Sequence, residues 1–279
     1  MSTVTAPAPR TLFEGLIDDA AVFPPGNFSL AEAISRRTAR RGHAYQDFVG
    51  PLLLPPRLVA DALESTIPLT IAVVGRPDVP LGEVLQSAES VAQATGHSLA
   101  GIEVGYLGEW RSALELGVPI AVEVPHTGFE AMLDDLAADR LEQVRAKLRT
   151  GSTPANSVPT PEQLAQFLEC STTRHLAFKL TGGMHRAVSH RAATPEGSED
   201  QFGALNVLLA TDELLSGGSL EAAGALLRQR DRRAIAALST ALDGVRAERV
   251  RSAFHSYGCC DVLDPIQDLS DLYLIEETS

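Results

Sequence analysis

Charged residues interrupt apolar segments in the middle of the sequence. Glu103 lies in Gly-Ile-Glu-Val-Gly, Glu123 lies in Ala-Val-Glu-Val-Pro, and Lys147 and Lys179 interrupt the next two apolar segments. Carboxylates can transfer protons, whereas a lysine can form an imine with a carbonyl substrate or stabilise a developing enolate. Because burying an unpaired charge is costly, we expect the four side chains to pair around a ligand pocket. The alternative is an internal salt-bridge layer without a ligand.

Short turns follow the two lysine-containing segments. Their glycine and hydroxyl residues let backbone N–H groups approach a phosphate or carboxylate closely. Arg149 adds a guanidinium that can bind such an anion through two parallel hydrogen bonds. The sequence therefore predicts a site for a small anionic metabolite. The predicted binding residues are Arg149, Thr150, Gly151, Thr181, Gly182, Gly183 and, farther along the chain, Asn206.

Two histidines and two further acids extend the set of candidates. His185 follows Thr181 by four residues, so we predict that it transfers protons or binds a metal, whereas His190 is more typical of an exposed loop residue. Near the amino terminus, Asp18 and Asp19 precede the sequence Val-Phe-Pro-Pro. Either this segment is the end of a helix that closes one end of the fold, or one of the two carboxylates reaches the pocket.

The elements that must position these residues are indicated by short runs of Val, Ile and Leu, which alternate with segments of helical spacing. This alternation is typical of βαβ units and a parallel sheet. We predict an α/β fold, a TIM-type (β/α)8 barrel with its ligand site at the carboxyl ends of the strands. An open doubly wound sheet is the alternative, but the glycine-rich turn of its dinucleotide sites does not follow the first strand. The predicted strands cover 48–54, 69–74, 99–104, 119–124, 144–148 and 176–180.

The carboxyl-terminal third of the chain departs from this alternation. Residues 182–200 are predicted to form a long loop, and 202–230 to be mainly helical with a Gly-Gly break. We therefore expect the seventh or eighth unit of the barrel to be degenerate or helical. A strand at 255–259 and a helix at 265–273 complete the predicted elements.

Length and composition limit the class of protein. The chain has 279 residues, enough for one barrel domain, which we place at 11–279 after a flexible tail at 1–10. Its formal net charge of −13 repels nucleic acids and anionic membranes, so we expect neither as a partner. The sequence shows no signal peptide and no run of about 18 apolar residues, which favours a cytoplasmic protein. A homo-oligomer is compatible with this composition.

The chain contains three cysteines. Cys170, Cys259 and Cys260 lack the spacing of a zinc site or a disulfide framework. We interpret them as small buried residues rather than redox or metal-binding groups.

Several motifs resemble a family of uncharacterised bacterial proteins over nearly the whole chain. The resemblance implies no activity. That family often has two successive histidines where this sequence has His185 and Arg186. The motifs are Asp-Asp-Ala-Ala-Val-Phe-Pro-Pro at 18–25, Lys-Leu-Arg-Thr-Gly at 147–151, Phe-Lys-Leu-Thr-Gly-Gly-Met-His at 178–185, Phe-Gly-Ala-Leu-Asn at 202–206 and Ser-Tyr-Gly-Cys at 256–259.

A second, more distant resemblance involves two predicted strands. Lys179 on the sixth predicted strand, followed by Thr-Gly, together with Lys147 on the fifth, resembles the pattern of class I deoxyribose-phosphate aldolases. The resemblance implies that Lys179 forms a Schiff base and that a second lysine lowers its pKa.

Three functions remain open from the sequence. The leading hypothesis is a carbon–carbon lyase or isomerase for a small anionic carbonyl metabolite, without a cofactor, in which Lys179 forms an imine or stabilises an enolate. Lys147 and Arg149 would lower the pKa of Lys179 and bind the anion. The strand-end glutamates or His185 would move protons.

The other two hypotheses use the same pocket differently. In a metal-dependent enzyme, Glu103, Glu123 and His185, with Asp18 or Asp19, would surround Mg²⁺, Mn²⁺ or Zn²⁺. In a non-catalytic binding protein, the basic turns would hold a metabolite without turnover.

Overall fold

Among the residues that the structure describes, eight parallel strands close into a barrel in chain order. The structure is a computed structural model, and it describes residues 7–76, 79–106, 109–153, 157–194 and 197–275. The predicted TIM-type barrel is therefore confirmed. Its first seven strands are β1 (Ile17–Asp19), β2 (Val49–Leu54), β3 (Thr70–Val74), β4 (Ser98–Gly105), β5 (Ile120–Val124), β6 (Val144–Arg149) and β7 (Phe178–Thr181).

The connection from β7 to the last barrel strand is long. It contains an antiparallel hairpin of β8 (His190–Thr194) and β9 (Gly197–Gln201), followed by helices, and it ends at β10 (Phe254–Cys259), which closes the barrel against β1. The helices of the chain are α1 (Leu30–Ala39), α2 (Val59–Leu63), α3 (Leu81–Gln93), α4 (Glu130–Ala137), α5 (Pro161–Thr173), α6 (Ala204–Leu215), α7 (Leu220–Arg228), α8 (Arg232–Thr240), α9 (Gly244–Ala253) and α10 (Leu263–Asp271).

The strands predicted from the Val, Ile and Leu runs are all present, as β2 to β7. Their bounds differ from the prediction by at most two residues. These runs are readable because a barrel strand buries one face in the interior and the other under the helices. The late strand predicted at 255–259 is β10, and the last predicted helix is α10.

The sequence interpretation was wrong in two segments. The loop predicted at 182–200 contains the β8–β9 hairpin, whose polar residues give no apolar alternation to mark the strands; positions 195–196 lie outside the described residues. The segment around Asp18 and Asp19 is not the end of a helix, which was one of the two alternatives predicted for it; the other alternative was that a carboxylate reaches the pocket. It is the short strand β1, which pairs with both β2 and β10.

Aromatic side chains fix the outer face of β7. The Phe178 ring lies 5.8 Å from the Phe167 ring on α5 and 5.2 Å from the Phe254 ring on β10, and Phe167 also meets Phe129 at 5.7 Å. Each of these buried rings contributes about 1.5–3 kcal/mol through the apolar area that it removes from water. Since successive residues of a strand face opposite sides, a buried Phe178 directs the next residue, Lys179, into the barrel.

The strand register places the predicted charged residues side by side. Glu123 on β5 lies opposite Lys147 on β6, and Lys147 lies opposite Lys179 on β7. Lys179 in turn lies opposite Ser256 on β10. The interior of the barrel therefore receives several ionisable groups at one level.

Residues 1–6 of the predicted tail and 276–279 lie outside the described residues, and Ala8 is buried. The division into a tail at 1–10 and a domain at 11–279 stays a prediction. In the described ranges, no helix has both the length and the apolar character needed to cross a membrane.

Candidate active site

A chain of ion pairs crosses the interior of the barrel. The ammonium group of Lys179 pairs with the carboxylates of Asp18 and Glu103. Ser256 donates a 2.7 Å hydrogen bond to Oδ2 of Asp18, and Nζ of Lys147 lies 2.7 Å from Oε2 of Glu103. Acids and bases therefore alternate across β1, β7, β4 and β6.

The ion-pair chain continues to the mouth through Glu123 and Arg149. Nζ of Lys147 lies 2.8 Å from Oε2 of Glu123, and Nε of Arg149 lies 3.4 Å from Oε1 of Glu123. Side-chain exposure rises along this path from 2% for Lys147 to 21% for Glu123 and 29% for Arg149. A ligand from solvent can therefore reach Glu123 and Arg149, while the lysine behind them stays covered.

A cavity of about 260 Å³ opens beside Glu123 at the carboxyl ends of β3, β4 and β5. Its walls combine apolar side chains such as Val84 and Val104 with the polar groups of Arg76, Tyr106 and Glu123. The carboxyl end of the strands is where TIM barrels form their ligand sites. The cavity and the exposed end of the ion-pair chain therefore share one mouth.

Opposite charges hold the buried groups ionised. Burial lowers the pKa of Lys179, but the carboxylates of Asp18 and Glu103 outweigh burial and keep that pKa above its ordinary value of 10.5. Burial raises the pKa of Glu103, yet the two lysines reduce it to about 2. Glu103 and Glu123 likewise raise the pKa of Lys147 against the effect of burial. These groups are therefore charged at neutral pH.

This result contradicts the prediction that Lys147 and Arg149 lower the pKa of Lys179. The prediction treated the cations as direct neighbours, whereas the carboxylate of Glu103 lies between the two ammonium groups and binds both. A protonated amine is not a nucleophile, so the imine hypothesis lacks the neutral amine that it requires. The sequence contains no other lysine; every other basic side chain that titrates above neutral pH is an arginine.

The turns after β6 and β7 pack against each other at the mouth. A Cβ atom on Gly151 would lie 2.7 Å from the backbone nitrogen of Gly183, so no side chain fits there. Gly182 has a φ of +74°, and a Cβ built on it would lie 3.1 Å from Nη1 of Arg149. Glycine therefore allows the two turns, and the guanidinium group, to approach closely.

The hydroxyl residues of these turns have different surroundings. Thr150 is buried and donates a 2.6 Å hydrogen bond to the carbonyl oxygen of Gly182. Its hydroxyl therefore holds the two turns together. Thr181 is half-buried at the end of β7, opposite Arg149 and Gly258 on the neighbouring strands. Contact between these turns and an anion stays a prediction.

His185 lies beside a cysteine that the sequence interpretation did not select. Nδ1 of His185 is 3.4 Å from Sγ of Cys260, which follows the carboxyl end of β10. Burial lowers the pKa of His185 and raises the pKa of Cys260. The pair therefore consists of a neutral imidazole and a neutral thiol. The sequence feature that could have identified Cys260 as a candidate is its position, one residue after the end of a barrel strand.

The buried carboxylate of Asp268 anchors the loop that carries His185. Its Oδ2 accepts a 3.0 Å hydrogen bond from the backbone N–H of Ala187, and its Oδ1 lies 2.9 Å from Nη1 of Arg232. This anchor on α10 fixes where the loop leaves the mouth.

Asp18 and Asp19 face opposite sides of β1. Asp18 points into the barrel and pairs with Lys179, as described above. Asp19 points outward, is buried, and pairs with Arg40, while Nη1 of Arg37 lies 3.7 Å away. Of the two carboxylates, the structure therefore brings Asp18 into the ion-pair chain. A strand of three residues was too short to show this alternation in the sequence.

Asn206 does not contribute to the mouth, which corrects its predicted role in substrate binding. The side chain is fully buried, and its Oδ1 accepts a 2.8 Å hydrogen bond from the backbone N–H of Ser189. Its Nδ2 donates to the carbonyl oxygens of Leu226 and Gln229 at 2.7 and 2.8 Å. The amide thus ties α6 to the hairpin and to α7. His190 lies half-buried on β8, where burial lowers its pKa.

Within the described ranges, no group of three or more His, Cys, Asp or Glu side chains is arranged to hold a metal ion. Glu103 and Glu123, two predicted ligands, instead bind the ammonium group of Lys147 at 2.7 and 2.8 Å. This nitrogen occupies the space between the carboxylates. The metal-dependent hypothesis would require Lys147 to leave that space.

Comparison with known proteins gives distant structural similarity. A scan of protein-family models finds no match, and a search of curated proteins finds none either. The solved structures to which this chain is similar include 7,8-dihydropteroate synthase from Vibrio fischeri ES114. That match has 11% sequence identity and a TM-score of 0.43, and it covers 94% of this chain and 93% of that chain. Dihydropteroate synthase from Xanthomonas albilineans in complex with 7,8-dihydropteroate has 14% identity, a TM-score of 0.38 and 96% coverage of both chains. Similarity at this level assigns no activity, and the two resemblances read from the sequence stay predictions.

Proposed function

We propose that the chain is an enzyme that acts on a small anionic carbonyl metabolite by proton transfer, as an isomerase or a carbon–carbon lyase that passes through an enolate. The observation that carries this proposal is the exposed end of the ion-pair chain. Glu123 and Arg149 lie together at the mouth, Glu123 lines a cavity, and buried charges behind Glu123 hold its carboxylate in place.

Arg149 would bind the anionic group of the substrate. Its Nε contacts Glu123, and no other hydrogen bond of its guanidinium occurs among the described residues. The remaining N–H groups can form the paired hydrogen bonds that suit a carboxylate or phosphate. Gly182 allows the guanidinium to lie against the turn after β7, where backbone N–H groups can add further contacts.

Glu123 would act as the base. Burial raises the pKa of Glu123, but Lys147 and Arg149 lower it below its ordinary value, so the carboxylate is ionised at neutral pH. It would accept a proton from the carbon next to the substrate carbonyl, leaving an enolate whose oxygen carries the negative charge. In the isomerisation of a substrate with a hydroxyl group on that carbon, the same carboxyl group would return the proton to the former carbonyl carbon, while the hydroxyl proton moves to the former carbonyl oxygen, so that the carbonyl and hydroxyl groups exchange places. Lys147 is a positioning residue, because it touches Glu123 rather than the cavity.

An enolate route is preferred to an imine route because of the state of Lys179. Its ammonium group binds two carboxylates, and its pKa is raised. Proton abstraction by Glu123 requires no neutral lysine, so the proposal agrees with the charges that the site holds at neutral pH.

Hydrogen–deuterium exchange tests this proposal without knowledge of the overall reaction. The protein is incubated in D₂O with a panel of phosphorylated and carboxylated aldehydes and ketones, and deuterium at the carbon next to the carbonyl is followed by NMR. For a substrate that exchanges, Glu123→Gln should lower the rate by about 10²–10⁴-fold. Arg149→Lys should raise KM more than it lowers kcat. Glu142→Gln and Arg233→Lys, which alter exposed residues, serve as matched controls.

Two outcomes would contradict the enolate proposal. One is exchange that Glu123→Gln leaves unchanged. The other is a borohydride-trapped substrate adduct on Lys179, which would establish an imine instead. A metabolite-binding protein without turnover is the second candidate function, favoured by the burial of both lysines; it predicts saturable ligand binding that needs Arg149 and no exchange with any ligand that binds.

A further inference from the structure

A second cavity, of about 190 Å³, lies beside the amino-terminal ends of β2 and β3, away from the mouth. Arg37 in the last turn of α1 and the next basic residues, Arg40 and Arg41, line it. Gln46 and Thr70 add an amide and a hydroxyl group to its wall. We call this the arginine cavity.

The arginine cavity carries an excess of positive charge. Asp19 is the carboxylate that its arginines contact in the described part of the chain: Arg40 pairs with it directly, and Nη1 of Arg37 lies 3.7 Å from it. Arg41 instead donates a 2.9 Å hydrogen bond to the carbonyl oxygen of Pro68. Three guanidinium groups of the described chain thus face one carboxylate, in a protein whose formal net charge is −13.

The guanidinium groups of this cavity also retain unused hydrogen-bonding capacity. Nη1 of Arg37 is buried and has no hydrogen-bond partner among the described residues. Burial lowers the pKa of Arg37; Asp19 and, more weakly, Asp18 raise it, and the neighbouring charges of Arg40 and Arg41 lower it. A negative ion in the cavity would relieve this repulsion between like charges.

We propose that the arginine cavity binds a small dianion, either a phosphate group or a dicarboxylate, at a site separate from the mouth. A guanidinium presents donors in a planar fork that matches carboxylate and phosphate oxygens. The hydroxyl group of Thr70 and the amide of Gln46 supply neutral hydrogen bonds beside that charge. This inference does not depend on the proposed enolate chemistry.

The position of the arginine cavity links it to the interior of the barrel. Arg37 donates a 2.9 Å hydrogen bond to the carbonyl oxygen of Gly50, and Gly50 packs so closely on Asp18 that a Cβ atom would lie 2.1 Å from Oδ1 of Asp18. Arg40 holds Asp19, the next residue of β1. An anion that moves these arginines would therefore act on the ion pair between Asp18 and Lys179.

Thermal unfolding and calorimetric titration with sodium phosphate test the site. At constant ionic strength, phosphate should raise Tm saturably, whereas sodium chloride should not. Thr70→Glu, which places a carboxylate on the wall, should abolish this effect, and the matched Thr70→Gln variant should keep it. Arg41→Gln should weaken phosphate binding about 10-fold, the value of one charge-assisted hydrogen bond. Arg57→Gln, an exposed arginine outside the cavity, should bind as the unaltered chain does.

A second titration uses malonate, a small dicarboxylate. Binding of phosphate without malonate would identify a phosphate group as the ligand, tighter binding of malonate would identify a dicarboxylate, and equal binding would show that the site accepts either dianion; each of these results supports the site. Phosphate that stabilises no more than chloride would overturn it. So would phosphate binding that survives Thr70→Glu and Arg41→Gln but is lost in Arg149→Gln, because the anion would then lie at the mouth.

Discussion

The mouth of the barrel and the arginine cavity hold charge in opposite ways. Behind the mouth, in the interior of the barrel, the ammonium groups of Lys147 and Lys179 each contact two carboxylates. In the arginine cavity, the guanidinium groups meet Asp19 and backbone carbonyl oxygens, and positive charge is left over. Buried charges of opposite sign that pair with each other fix a geometry, whereas an excess of one sign favours an ion from solution.

This difference explains why each region suits a different role. The charges behind Glu123 pair with one another, so they hold its reactive carboxylate in place and need no ligand as a counter-ion. The excess positive charge of the arginine cavity favours the binding of an anion. We therefore propose that the mouth carries out chemistry and that the arginine cavity recognises an anion.

The largest expected effect comes from removing the central acid of the ion-pair chain. Glu103→Ala would leave two buried ammonium groups short of a partner, so the free energy of unfolding should fall by about 3–5 kcal/mol. Urea denaturation measures this change. Glu142→Ala, at an exposed glutamate, should stay within about 0.5 kcal/mol of the unaltered chain. Equal stability of the two variants would show that the interior charges are not coupled.

A smaller effect is expected at Gly50, which lies between the two regions. A Cβ atom there would overlap Oδ1 of Asp18 at 2.1 Å, so Gly50→Ala should displace Asp18 from Lys179. We expect a loss of about 1–3 kcal/mol, the usual cost of overpacking. Gly82→Ala on α3 has no atom within 4 Å of the new methyl group and should be neutral or slightly stabilising. Comparable losses in both variants would argue against the close contact with Asp18.

Two separate pH dependences of stability are also expected. Burial raises the pKa of Glu103, but the two lysines outweigh burial and lower that pKa from 4.5 to about 2. The contribution of Glu103 to stability is therefore complete above pH 4.5 and is lost as the pH falls towards 2. Burial, with Arg145 and Arg251, lowers the pKa of His255 from 6.5 to about 3. The unfolded chain then binds a proton that the folded chain does not, and stability falls as the pH drops from 6.5 towards 3.

Two variants test these two pH ranges separately. Denaturation curves across pH should show that His255→Gln removes the loss that begins at pH 6.5, and that Glu103→Gln removes only the loss below pH 4.5. If both variants changed the same part of the profile, the two groups would not titrate independently.

The sequence predicted β2 to β7 because the face of each run that packs under the helices is apolar. It did not predict β1, since a strand of three residues that contains two aspartates shows no apolar run. The β8–β9 hairpin was missed for the related reason that its residues are polar on both sides. A strand can therefore be predicted from sequence only where burial requires a pattern of apolar residues.

The candidate site was predicted in its members but not in its electrostatics. Glu103, Glu123, Lys147 and Lys179 do converge, because the carboxyl ends of neighbouring parallel strands meet. The pKa of Lys179 is raised against burial because the carboxylates of Asp18 and Glu103 contact its ammonium group, and these contacts follow from the three-dimensional register. Asn206 was misassigned for a similar reason, since its partners are backbone groups that no sequence motif specifies.

The most direct test is to measure the pKa of Lys179 by NMR. The sequence contains just two lysines, so protein labelled with ¹³C-lysine gives one side-chain signal for each, and Lys147→Arg assigns them. The ion pairs with Asp18 and Glu103 predict that Lys179 titrates above its ordinary value of 10.5. A pKa below 10.5, above all one near neutral pH, would mean that a free amine exists at the site, and it would contradict the paired charges on which the proposed enolate route depends.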